Sequence, residues 1–154
     1  MKTMNAGTFQ FKENWKISRV NKLTGEVIDS EEFCNTIVND GLERVARLIM
    51  GDSSTYFRAI AVGEGTTAVT NSDTALESEV KREAATLSYV ASYKAKFEKT
   101  MTFDAEYAIT EAGIFDSTSI SGSTMLAHTV FTAKNVSTVI DLIIAGTITV
   151  ARVA

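Results

Sequence analysis

His128 is the sole histidine and Cys34 the sole cysteine of the chain, so base-activated nucleophilic chemistry has a single candidate pair. A hydrolytic triad needs a nucleophile, a base and an acid that orients the base. His128 lies in a strand-like run, Met125-Leu126-Ala127-His128-Thr129-Val130-Phe131, and no Gly-x-Ser-x-Gly elbow occurs anywhere. Only the tertiary fold could bring Cys34 to it, and the expectation is a strand histidine and a buried thiol. Gly63-x-Gly65 follows a strand-like segment, as a phosphate loop would. The third glycine is missing, however, and Thr66-Thr67-Ala68-Val69 does not open a helix. Asp73, Glu77 and Glu79 are close enough in sequence to cluster, and paired carboxylates are the tools of glycoside hydrolysis. Beside a short helical turn such acids ordinarily cap or solvate it. Asp52, Asp73 and Asp116 lack the spacing of a ligand set, so neither a metal nor a cofactor is expected. Tyr56, Phe57, Tyr89, Tyr93 and Tyr107 could form a platform for a glycan or a protein, against the core role usual for strand aromatics. The motif chemistry points away from an enzyme.

The elements that must position these residues follow from composition and periodicity. At 154 residues, with 45% hydrophobic and 22% charged side chains, the expectation is one globular domain over 1–154. A net charge of −4 argues against a non-specific nucleic-acid binder. Lys81-Arg82 and Lys94, Lys96 and Lys99 are the local basic exception, read as solvated strand faces. One cysteine excludes an intrachain disulfide and a cysteine-based metal site. No apolar signal-peptide core opens the sequence, and the longest apolar patch, Val139–Val150, is interrupted by Asp141 and too short to span a bilayer. Synthesis in a cytoplasm, with no membrane partner, is the expectation. The chain has no proline, so glycines and Asx turns must shape its turns and edges.

Phe9, Phe11, Trp15 and Ile17 alternate with polar residues through Thr8–Val20, the period-2 mark of a half-buried antiparallel strand. Asn21–Gly25 reads as a hairpin loop and Val27-Ile28 as the return. Asp29–Glu32 reads as a bend before a further extended piece carrying Phe33, Asn35 and Ile37. Asp40 with Glu43 predicts a capped helix over about 40–50, with Asn39 as the rival cap and Gly51 as its left-handed stop. Leu42, Val45, Ala46 and Ile49 at i, i+3, i+4 and i+7 predict its buried stripe, with Arg44 and Arg47 at least partly exposed. Beyond it come a strand at Phe57–Val62, a polar loop at Gly63–Ser72 and a single helical turn opened by Asp73. A hairpin spans Ala84–Phe103, strands cover Ala108–Phe115 and Thr124–Phe131, and Asp116–Ser123 is a turn. Val136–Val153 closes the chain, with Gly146 expected at a bulge or bend. Eight to ten short strands and one main helix predict a mainly β fold, an antiparallel β-sandwich or jelly-roll-like barrel.

The string Thr36-Ile37-Val38-Asn39-Asp40-Gly41-Leu42, continued by Arg47-Leu48-Ile49-Met50-Gly51-Asp52, resembles a group of tailed-bacteriophage virion proteins of tail-fibre-like or particle-surface type. The likeness runs on through Ile60–Thr70 and Asp73–Arg82. Thr110-Glu111-Ala112-Gly113-Ile114-Phe115 is similar to the group's Ile-Thr-Glu-Ala-Gly-Leu-Phe, and Met125–Phe131 to its Met-Leu-Ala-Arg-x-x-Phe strand. Val69 stands where the group has proline, Glu64 where it has threonine and His128 where it has arginine. The resemblance covers about 36–154 and implies a non-enzymatic virion structural protein at the particle surface, in the family-like sandwich. Capsid decoration is preferred, with a tail or fibre-attachment subunit, or a carbohydrate-binding module, as alternatives. It further implies partners among the major capsid or tail proteins, and self-association, as a homotrimer. Region 1–35 lies outside it. There Phe9, Phe11 and Trp15 are candidate interface anchors of an N-terminal arm, or else the side chains of the first core strand.

Overall fold

The computed structural model describes residues 9–153. In chain order these form β1 (Phe9–Asn21), β2 (Val27–Phe33), β3 (Thr36–Ile37), α1 (Asn39–Ile49), β4 (Ala59–Gly63) and β5 (Glu79–Ala84). There follow β6 (Thr86–Val90), β7 (Lys94–Met101), β8 (Tyr107–Phe115), β9 (Met125–Val136) and β10 (Ile140–Arg152). The strands make two five-stranded antiparallel sheets, β2-β1-β10-β7-β6 and β3-β9-β8-β4-β5, stacked as a β-sandwich. The chain changes sheet four times, and two of these crossings, at Cys34-Asn35 and at Ala85, join an edge strand of one sheet to an edge strand of the other.

β1 shows how pattern becomes packing. Its odd positions point inward, leaving Trp15 and Ile17 at 0% exposure, and it hydrogen-bonds to β10 along its whole length. It also pairs with β2. The region read as a strand or arm therefore supplies an interior strand of the first sheet. Trp15 belongs to the core and is not an exposed anchor, a correction that burial dictates. Phe11 is half-buried against the same core, and the Phe9 side chain lies outside the described residues. Gly146 sits at neither a bulge nor a bend: the pairing of β10 with β1 and β7 runs through it without a shift. It lies opposite Trp15, and a Cβ there would stand 3.6 Å from the indole and 3.3 Å from Ile114 Cδ1. The indole distance is ordinary van der Waals contact, and the tight neighbour is Ile114.

Asn21 ends β1 by accepting the Leu23 and Thr24 amides on its side-chain oxygen, and Gly25 takes φ +73° to complete the turn. The expected bend at Asp29–Glu32 is absent. β2 runs straight through it, since Ser18 meets Ser30 at 2.8 Å and Arg19 meets Asp29 at 2.6 Å across the ladder. β5 is the strand that alternation missed, because its residues are mostly charged.

The helix forms where its pattern placed it, but it is turned and capped differently. Its N-cap is Val38, which makes no side-chain cap. The Asn39 amide is satisfied instead by the Asn71 carbonyl at 2.8 Å. At the other end Gly51 adopts φ +75°, with its amide on the Leu48 carbonyl and the Asp52 amide on the Arg47 carbonyl, a Schellman close. Of the expected stripe, Leu42 is 46% and Ile49 70% exposed, Ala46 is exposed and Val45 half-buried. The buried line runs through Gly41, Val45 and Leu48, with Arg44 beside it. The cause is Gly41. Without a Cβ it lets the helix settle onto the Leu126 backbone, where an added carbon would lie 2.5 Å from the carbonyl oxygen. Arg44 is then carried to Asp116 at 2.6 Å and Thr124 Oγ1 at 3.0 Å.

Candidate functional site

The second sheet has two covered faces. Ile60, Val62, Ala112 and Ile114 point into the main core, while Ala59, Ala61, Phe115 and Met125 point outward into a second apolar layer with Leu76. Residues 64–78, between β4 and β5, fold back over that outer face. Glu111 lies beneath them at 0% exposure, an acid in the middle of an otherwise apolar strand.

A buried carboxylate is stable only if its oxygens are satisfied. Glu111 Oε1 accepts the amides of Gly65 at 3.0 Å and Ser78 at 2.8 Å. Oε2 accepts the Glu77 amide at 3.0 Å and faces His128 Nε2 at 3.0 Å. This arrangement explains Gly63-x-Gly65. A Cβ on Gly63 would meet the Ser78 carbonyl oxygen at 2.4 Å and Glu111 Oε1 at 2.5 Å, and one on Gly65 would meet Glu111 Oε1 at 2.5 Å. The loop does cradle an anion with backbone amides, as glycine-rich nests do. That anion is the chain's own Glu111.

His128 bridges outward from this centre. Its Nδ1 lies 2.8 Å from Asp73 Oδ2. Asp73 accepts the Thr70 amide at 3.0 Å and the Thr70 hydroxyl at 2.7 Å. Burial works against its charge. The Thr70 hydrogen bonds and the His128 contact outweigh burial and hold the carboxyl below its usual range. Thr110 Oγ1 adds a further tie by donating to the Gly65 carbonyl at 2.6 Å. No helical turn forms at Asp73: its carboxylate ties back to Thr70 rather than capping a helix. Beside this network the Glu77 carboxylate accepts the Thr67 amide at 2.8 Å, which holds it below the usual range.

The chemical capacity of the arrangement follows from proton count. A neutral imidazole has one N–H donor, yet both ring nitrogens here face carboxylate oxygens. Both ring nitrogens are thereby engaged by acids, and neither is free to take a proton from a nucleophile, as a triad base must. Cys34 does share a shallow groove of about 420 Å³ with His128, Thr66 and Val69. It is exposed, a correction to the expected buried thiol, because it occupies the crossing between the sheets rather than a strand interior.

The other sequence candidates scatter. Glu79 clamps Arg82 through two contacts of 2.8 Å, and the guanidinium lies 3.7 Å above the Phe115 ring. Arg82 also donates to Ser117, Ser119 and Ser123, which pins the 117–123 loop. Asp52 pairs with Arg47, and Asp116 with Arg44. Among the described residues no cluster of acids, histidine and cysteine could hold a metal ion. The local basic run is matched by acids. Lys81 and Lys99 both reach Glu83, and Lys96 reaches Glu98, at 2.7–2.8 Å. Burial raises the Glu83 carboxyl, but the two lysines overcome it and hold it below the ordinary range. Phe57 is buried and Tyr107 half-buried, whereas Tyr56, Tyr89 and Tyr93 are exposed. Among the described residues no helix is long and apolar enough to cross a membrane.

Glu111 is the residue that motif chemistry overlooked. Its signal was an acid at an outward position of an apolar strand, with a glycine-rich loop elsewhere to receive it. The chain was compared with protein-family models, with curated proteins and with solved structures, and none matches it.

Proposed function

We propose that this chain is a non-enzymatic structural protein of a bacteriophage virion, carried at the particle surface, with capsid decoration as its role in preference to a tail or fibre-attachment position. The observation that carries the reading is where the resemblance residues lie. Gly63, Gly65, Asp73, Leu76, Glu77 and Glu79 come from separate blocks of the resemblance, as do Arg82, Glu111, Gly113 and Phe115. All line or pin the outer layer of one sheet. Residues that lock a loop onto a sheet are what a structural module needs, whatever it is attached to.

The same geometry supports the non-enzymatic part. The glycine loop is filled by Glu111, and His128 is spent on two carboxylates. What remains for function is surface, which suits a protein that works by assembling.

Peptide mass spectrometry of gradient-purified particles, with heads and tails separated, tests the reading. The expected result is recovery with the heads in stoichiometric amounts. Recovery with tails moves the role to the tail. Presence in the infected-cell lysate with absence from particles overturns the proposal.

A further inference from the structure

Among the described residues four strands form the edges of the two sheets: β2 and β6 in one, β3 and β5 in the other. An edge offers unpaired amides and carbonyls to any passing strand, and proteins blunt it with charge, proline or shortness. β2 carries Asp29, Glu31 and Glu32, and β5 carries Glu79, Lys81, Arg82 and Glu83. β3 is two residues long. β6 has none of these protections. Its sequence, Thr86-Leu87-Ser88-Tyr89-Val90, has no charge, every residue is exposed, and among the described residues it pairs on one side only, with β7.

We propose that β6 is the docking edge for a second copy of this chain, joined by antiparallel pairing of β6 with β6 about a two-fold axis at Ser88. The strand suits itself. In that register Leu87 faces the partner's Tyr89 and Thr86 faces the partner's Val90, so no like charges meet. Leu87 and Tyr89 lie on the side of the sheet that bears Phe97, their cross-strand neighbourhood on β7. There they open, with Leu48, Tyr56 and Phe57, into an apolar groove of about 400 Å³.

Tyr89 is 74% exposed, Tyr93 69% and Tyr56 54%, and the Tyr89 hydroxyl accepts the Tyr93 amide at 3.2 Å. At the ~150–250 Å² that an aromatic side chain buries, these rings with Leu87 and Val90 present about 500 Å² per copy. Two copies together reach about 1,000 Å², the lower bound of a specific interface. Main-chain pairing along the edge adds to that area the affinity typical of strand addition. A charged partner protein would find nothing to match on β6, whereas a second copy does.

The test is light scattering coupled to size exclusion over a concentration series of the full chain, with two variants. The expected mass is that of a dimer, shifting to a monomer by at least tenfold weaker association in Tyr89→Lys. Because Tyr89 is exposed, that variant keeps the wild-type circular dichroism. Ser88→Cys in a Cys34→Ser background is expected to give a covalent dimer on mild oxidation, while Val27→Cys on the guarded edge gives none. A wild-type chain that stays monomeric, a trimer indifferent to Tyr89→Lys, or a dimer that Ser88→Cys does not cross-link each overturns the proposal. So does a monomer that uses β6 only to take up an extended peptide from another protein.

Discussion

Glu13 and Glu111 are both acids buried in a sheet, yet their surroundings treat them oppositely. Glu111 has three backbone amides and an imidazole on its oxygens. Glu13, 8% exposed, receives Trp15 Nε1 at 2.8 Å and Asn35 Nδ2 at 3.0 Å on Oε1, and its Oε2 has no partner among the described residues. Burial prevails over those two hydrogen bonds and raises the Glu13 carboxyl from 4.5 to about 7. The folded chain thus holds this proton more tightly than the unfolded one. The contribution is whole below about pH 4.5 and is lost as pH climbs through about 7, at up to about 1.4 kcal/mol per pH unit between. Glu13→Gln keeps the acceptor and removes the titration. Its stability relative to the parent chain should therefore rise with pH from 5 to 8 in urea melts, and a pH-independent difference would refute the account. Glu111→Ala instead strands three amides and His128. It is expected to cost about 3–5 kcal/mol, and limited proteolysis should then cut within 64–78.

At the scale of elements, α1 shows how a hydrophobic stripe can mislead by one position. Leucine and isoleucine mark Leu42 and Ile49, but the tightest contact is made by a residue with no side chain at all. Ala in place of Gly ordinarily stabilises a helix interior by roughly 0.5–1 kcal/mol. At Gly41 the sign should reverse, because the new carbon would lie 2.5 Å from the Leu126 carbonyl oxygen and push the helix off the sheet. A loss of about 1–3 kcal/mol is expected for Gly41→Ala. Ile49→Ala, at a position 70% exposed, should stay within about 0.5 kcal/mol. Thermal unfolding of the two variants side by side checks both. A large cost at Ile49 with none at Gly41 would mean that the helix presents the other face.

For the whole molecule, the first strand decides whether there is a sandwich. β1 lies between β2 and β10, so its removal would strip the first sheet of an interior strand and the core of Trp15 and Ile17. A chain lacking residues 9–21 is expected to lose its cooperative unfolding transition and its β-sheet circular dichroism. Trp15→Ala, which keeps the strand, should cost about 3–5 kcal/mol. A deletion product that folds would make β1 a separable arm.

The period-2 runs, the glycine stop at Gly51 and the turn at Asn21–Gly25 were legible without coordinates, because each rests on neighbours along the chain. The β class and the helix position follow from the same local rules. Strand β5 was hidden because its side chains are paired charges, and alternation registers only apolar burial. The helix rotation was hidden because it depends on the Leu126 backbone, 85 positions away from Gly41 in the chain. The lock around Glu111 lay deepest. Gly65, Asp73, Glu111 and His128 are polar or small residues spread over one loop and two strands, and only the sheet register and the fold-back of 64–78 bring them within hydrogen-bond reach. Local spacing sets what each segment can become. Which segments meet is set by burial of the two apolar layers, a property of the whole chain.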